Sequence, residues 1–132
     1  MNQNGKKVLL IEDDKAIIDV YETIFKKDHF DVEVISWGKE AIKKMEEVQA
    51  QKEAAPDIVL LDLILPDING VEVLKTIKTN NITKNIIVFV LTNQESPELQ
   101  QSTDIKPDKF IIKANVTPTQ LSKLIKEQLK LE

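Results

Sequence analysis

The chain has 132 residues, 42% hydrophobic and 30% charged, the balance of one soluble globular domain rather than a disordered segment. It holds no cysteine and a single histidine, His29, which excludes disulfide staples, thiolate zinc sites, thiol nucleophiles and multi-histidine metal centres. A net charge of −4 argues against a basic face that grips nucleic acid, and no apolar run approaches the roughly 18 residues of a membrane span.

Short apolar runs alternate with longer amphipathic ones. Val8–Ile11 is four consecutive apolar residues, too short for a helix and suited to a strand buried on both faces. The apolar residues before Glu12 are too few for a signal peptide, so a cytoplasmic protein is expected. Ile17, Val20, Tyr21 and Ile24 then recur at helical spacing as one inward stripe. Val32–Ile35 alternates like a half-exposed edge strand, and Ser36 is positioned to cap a second helix with Ala41, Ile42, Met45 and Val48 inward. The lysines and glutamates of residues 43–47 read as that helix's solvated face.

Ile58–Leu61 is the third strand-like run. After the turn signals Pro66 and Asn69-Gly70 comes a helix with Val71, Leu74 and Ile77 inward. Ile86–Leu91 predicts a fourth strand, 96–104 a weak helix opened by Ser96 and Pro97, and Phe110–Ile112 a fifth strand. Thr117 and Gln120 form a capping-box pattern around Pro118, opening a last helix with Leu121, Leu124, Ile125 and Gln128 inward. Strict strand–helix alternation predicts an α/β domain, a doubly wound (βα)5 sandwich: five parallel strands with helices on both faces. Ligands of such sheets bind beyond the carboxyl ends of the strands.

Those ends carry the unusual residues. The first run leads into Glu12-Asp13-Asp14, the third ends in Asp62, the fourth in Thr92 and the fifth in Lys113. Taken singly, Asp14 reads as a helix cap, Thr92 as a loop hydroxyl and Lys113 as a surface lysine. Asp62 is harder to dismiss, because apolar residues flank it on both sides and a buried unpaired carboxylate is costly. Acids so placed repel one another unless a cation sits among them. An all-oxygen donor set favours a hard ion, and Mg²⁺ takes one to three carboxylates while retaining waters. Beside such an ion a carboxylate can attack phosphorus, with an ammonium and a hydroxyl neutralising the transferring group.

These residues resemble the receiver domains of two-component response regulators, in the single-domain, chemotaxis-regulator-like form. The resemblance runs from Lys7 to about Leu129 and rests on four motifs: Val8–Asp14, Asp57–Gly70 with its Asp-Leu-x-x-Pro-x-x-x-Gly core, Val90–Thr92 and Phe110–Lys113. It implies a flavodoxin-like sheet of strand order 2-1-3-4-5 and one receiver domain over 1–132, core about 6–130, with no output domain. It implies Asp62 as phosphoacceptor, and a Mg²⁺ site formed by Glu12, Asp13, Asp62 and the backbone carbonyl of Ile64. Thr92 matches the switch hydroxyl, Lys113 its lysine partner, and Phe110 the aromatic that reports the switch to the surface. The implied donor is a phosphohistidine on a sensor histidine kinase or histidine phosphotransfer protein. The implied output is a downstream protein target, without direct nucleic-acid or membrane binding. The domain is then not an enzyme, but a phosphoacceptor that assists its own phosphorylation and dephosphorylation.

Three departures stand out. Ala114 replaces the proline that in this family usually follows the lysine in a cis peptide, so either a costly cis bond is kept or the loop is rebuilt. Asn93 follows Thr92 where a small residue is common, and 93–108 is shorter than usual. Other classes fit less well. A haloacid-dehalogenase-type phosphatase needs a second acid where Ile64 stands, and a flavodoxin-like carrier would have its phosphate repelled by Glu12-Asp13-Asp14. The alternative reading is a receiver-fold protein-binding module that works without phosphorylation. His29 reads as structural, and Trp37 opens the second helix.

Overall fold

A computed structural model describes residues 5–93 and 105–131. Five parallel strands, β1 (Lys7–Ile11), β2 (Asp31–Ile35), β3 (Ile58–Asp62), β4 (Ile87–Thr92) and β5 (Lys109–Ile112), form one sheet in the order 2-1-3-4-5. Four helices are seen among the described residues: α1 (Lys15–Lys27), α2 (Gly38–Gln49), α3 (Gly70–Lys78) and α4 (Pro118–Gln128). The expected helix over 96–104 lies outside the described residues.

The apolar runs bury both faces because successive strand residues point to opposite sides. Leu9, Ile11, Val59, Leu61, Val88 and Val90 join Met45, Leu74 and Ile77 of α2 and α3 in one core. Val8, Leu10, Ile58, Leu60, Phe89 and Leu91 join Tyr21, Phe25, Leu121 and Ile125 of α1 and α4 in the other. Each fully buried Leu, Ile or Phe contributes about 1.5–3 kcal/mol. The edge strand β2 is only partly buried, as its alternating pattern predicts.

Local signals explain most helix starts. Asp14 accepts from the Ala16 and Ile17 N–H groups at the head of α1, and Thr117 with Gln120 completes a reciprocal capping box at α4. Three expectations need correction. Val20 is 49% exposed, and the helical stripe of α1 turns toward the core through Phe25 instead. Lys44 does not belong to a solvated face: it is buried, holding Glu33 at 3.0 Å and Glu53 at 2.7 Å. Ser36 is not the cap of α2, whose N-cap is Trp37 with no side-chain hydrogen bond of its own.

Candidate functional site

Parallel register aligns the strand ends. Ile11 pairs with Leu61, so Glu12 emerges level with Asp62; Thr92 pairs with Ile112, so Lys113 follows directly beyond it. The sheet thus gathers residues that lie 51 and 101 positions apart in sequence. Glu12 and Asp62 are buried, at 1% and 8% exposure, while Asp13 stands exposed beside them. Carboxylate oxygens of Glu12, Asp13 and Asp62 lie within 4.8 Å of one another. They line a cavity of about 330 Å³ together with Asp14, Ile64 and Asn93.

Hydrogen bonds fix the orientation of the two buried acids. Glu12 Oε2 accepts from the backbone N–H groups of Asp13 (3.2 Å) and Asp14 (3.1 Å), and its Oε1 accepts from Lys113 Nζ at 2.6 Å. Asp62 Oδ1 accepts from the Ile64 N–H at 3.0 Å, and Oδ2 accepts from Lys113 Nζ at 3.0 Å. One ammonium therefore serves two buried carboxylates. Burial, reinforced by the charge of Asp62, pushes the Glu12 carboxyl above its ordinary range despite the Lys113 hydrogen bond. For Lys113, burial alone would favour the neutral amine. The hydrogen bond to Glu12 and the charges of Asp62 and Glu12 outweigh burial and hold its pKa up. Both groups hold their protons more tightly, as expected where negative charge is in excess.

Thr92 is buried at the end of β4, and Phe110 is half-buried on β5. The chain leaves β5 through a short 3₁₀ turn, Lys113–Asn115, and no cis peptide occurs among the described residues. Of the two alternatives for Ala114, the rebuilt loop is the one found.

The loop between Asp62 and α3 shows what sequence reasoning did not reach. Gly70 N–H donates to Leu63 O at 2.8 Å, and a Cβ on Gly70 would sit 2.4 Å from the carbonyl oxygen of Asp62. Glycine is required there because the helix start lies against the end of the strand that carries Asp62. Asp67, quoted above only as part of a motif, caps a helix that is not its own. Its Oδ1 accepts from Gly38 N–H at 2.8 Å and its Oδ2 from Lys39 N–H at 2.9 Å. Desolvation raises the Asp67 carboxyl, but these N–H donors, together with the backbone N–H groups of Asp67 and Ile68, outweigh it and hold its pKa below the usual range. A bond spanning 29 residues leaves no local signal.

The model of the response regulator receiver domain matches residues 8–126 of this chain. The chain belongs to the response regulator receiver domain family. It is accordingly a receiver domain of two-component signal transduction, the family role being that of phosphoacceptor. The alkaline phosphatase synthesis transcriptional regulatory protein PhoP of Bacillus subtilis is 29% identical over 91 residues, covering 69% of this chain and 35% of that protein. The chain spans less than half the length of the curated relatives it matches. Among solved structures, the phosphorylated cyanobacterial phytochrome response regulator RcpA superposes with a TM-score of 0.77 at 30% identity, covering 96% of this chain and 92% of that one. The Mn²⁺-bound form of the response regulator Rcp1 gives a TM-score of 0.77 at 28% identity, covering 96% and 95%. Receiver domains bind Mg²⁺ at an acidic pocket, and Glu12, Asp13 and Asp62 form an acidic pocket here. No helix among the described residues is long and apolar enough to cross a membrane.

Proposed function

We propose that Asp62 is the phosphoacceptor of this receiver domain, taking its phosphoryl group from a phosphohistidine on a sensor kinase or phosphotransfer protein. The supporting observation is the buried Asp62 carboxylate, placed beside two further acids and within 3.0 Å of the Lys113 ammonium. A carboxylate oxygen of Asp62 attacks phosphorus, the P–N bond breaks, and its electron pair stays with the imidazole, which takes up a proton.

The residues present suit a hard divalent cation: three carboxylates converge, with no thiolate or imidazole among them. Glu12, Asp13, Asp62 and the Ile64 carbonyl would hold Mg²⁺, which when bound supplies Lewis-acid neutralisation of the phosphoryl oxygens. The backbone N–H groups of Asp13 and Asp14 keep Glu12 oriented, and the Ile64 N–H keeps Asp62 from rotating. Lys113 neutralises one phosphoryl oxygen and Thr92 hydrogen-bonds another, each moving toward the new charge. Phe110, in the strand between Thr92 and Lys113, passes that movement to the surface read by a protein target. The receiver spans 1–132 as one unit.

Intact mass after incubation with Mg²⁺ and acetyl phosphate tests this reading. One added phosphoryl group that requires Mg²⁺ and is absent in Asp62→Ala is the expected result. An unmodified wild type, with no beryllofluoride-induced change in its NMR spectrum either, would move the assignment to a binding module that works without phosphorylation.

A further inference from the structure

The segment 63–69 connects the end of β3 to α3 and carries the Ile64 carbonyl assigned above to the metal. Its two ends are fastened locally. Ile64 N–H donates to Asp62, Ile64 bridges to Asn69, and Gly70 N–H donates to Leu63 O. Asn69 accepts from Val71 N–H and caps α3. Its middle is fastened to a different helix. Asp67 takes both leading N–H groups of α2, and Ile68 and Leu65 press against Gly38, where a Cβ would meet Ile68 Cγ1 at 2.3 Å and Leu65 Cδ1 at 3.2 Å. Gly38 is thus a notch that admits the loop, and Asp67 is the latch that closes it.

A carboxylate at this place is more than a surface charge. α2 has no side-chain cap from its own N-cap residue, Trp37, so its first N–H groups depend on Asp67. A bidentate, charge-assisted pair of hydrogen bonds at a helix N-terminus resists rotation of the loop as well as its departure. Without it, the middle of segment 63–69 keeps only the apolar contacts of Leu65 and Ile68, which do not fix the rotation of a backbone, and Ile64, itself 61% exposed, adds little packing of its own.

We infer that Asp67 is a positioning residue for the divalent-cation site, setting the Ile64 carbonyl by latching its loop to the head of α2. The inference rests on the metal-site reading given above. Removing partners that orient metal ligands lowers affinity about 10- to 100-fold, and Asp67, acting through backbone, belongs at the lower end.

The test is a Mg²⁺ titration followed through the backbone amide NMR shifts of Glu12 and Asp13, with thermal unfolding measured on the same samples. Wild type is compared with Asp67→Ala, Asp67→Asn, Thr117→Ala and Asp13→Asn. Asp67→Ala is expected to raise the Mg²⁺ dissociation constant about tenfold. Asp67→Asn, which keeps one acceptor, is expected to recover part of the loss. Thr117→Ala removes a cap from α4 and is expected to lower the melting temperature while leaving Mg²⁺ affinity unchanged. If Asp67→Ala lowers the melting temperature but binds Mg²⁺ like wild type, the residue only stabilises α2 and the inference falls. If Asp13→Asn abolishes binding in that case, the metal-site reading survives alone. A wild type that binds no Mg²⁺ overturns both.

Discussion

The two edges of the sheet use the same residue types to opposite ends. At the amino edge Asp57 and Asp108 each sit immediately before a strand and find partners of their own. Asp57 accepts from Lys7 N–H at 2.7 Å, tying β3 to β1, and Asp108 accepts from Val88 N–H at 2.8 Å and Lys78 Nζ at 3.0 Å, tying β5 to β4 and α3. At the carboxyl edge Glu12, Asp13 and Asp62 crowd together, and the ammonium of Lys113 is shared by two of them. The first arrangement holds the fold. The second carries a surplus of negative charge that the fold must tolerate, which is characteristic of sites kept for chemistry rather than stability.

Substitutions should separate the two edges, and the largest effect belongs to the shared cation. Lys113→Ala leaves Glu12 and Asp62 buried without it and is expected to cost about 3 kcal/mol in metal-free urea denaturation at pH 7. Adding Mg²⁺ should recover more stability in that variant than in wild type. An unchanged denaturation midpoint would mean the carboxyl edge is not under charge stress. Next comes an amino-edge acid. Asp108→Ala strands the Val88 N–H and removes the counter-charge of Lys78, whose ammonium keeps the carbonyls of Lys84 and Ile86, and a loss of about 1.5 kcal/mol should appear in the same assay, indifferent to Mg²⁺.

Asp62→Asn should do the reverse and stabilise the metal-free protein by about 1 kcal/mol, because it removes one of the crowded charges. Destabilisation instead would show that the Lys113 pairing outweighs the repulsion. The smallest effect is in pH. Asp28 and Glu33 have folded pKa values held below the ordinary range: burial opposes this, but Ser122 and Lys126 for Asp28, and Lys44 and Lys7 for Glu33, prevail. Their stabilisation is present above the ordinary carboxylate pKa and is lost as pH falls through the lowered one. Glu12 is raised, so its contribution has the opposite sign: stability declines as pH rises from its unfolded pKa through its folded one. Glu12→Gln should therefore gain more melting temperature between pH 4 and pH 7 than wild type does, and an identical gain would contradict the shift.

Most of the architecture was legible because it depends on local pattern. Runs such as Ile58–Leu61 declare a strand buried on both faces, and Thr117 with Gln120 declares a helix start. The acidic edge was legible for a related reason: parallel strands put their carboxyl ends together, so chemistry at each strand end predicts a shared site. What escaped depends on distant partners. Lys44 reads as solvated until Glu33 and Glu53 are brought to it, Ser36 looks like a cap until Asp67 takes that work, and the buried Ser122 donates its hydroxyl to the distant Asp28. Val20 has the right spacing, but α1 rolls so that Phe25 stacks with Tyr21, ring centroids 5.7 Å apart. For the peptide between Lys113 and Ala114 the sequence left a cis bond and a rebuilt loop both open.

Lys113 also arrives late. It follows β5, the last strand of the chain and an edge of the sheet, whereas its two carboxylate partners belong to strands made much earlier. The counter-charge of the site therefore sits at the end of an edge strand, and a local opening of β5 would uncover the Glu12 and Asp62 carboxylates together while β1 and β3 stay paired.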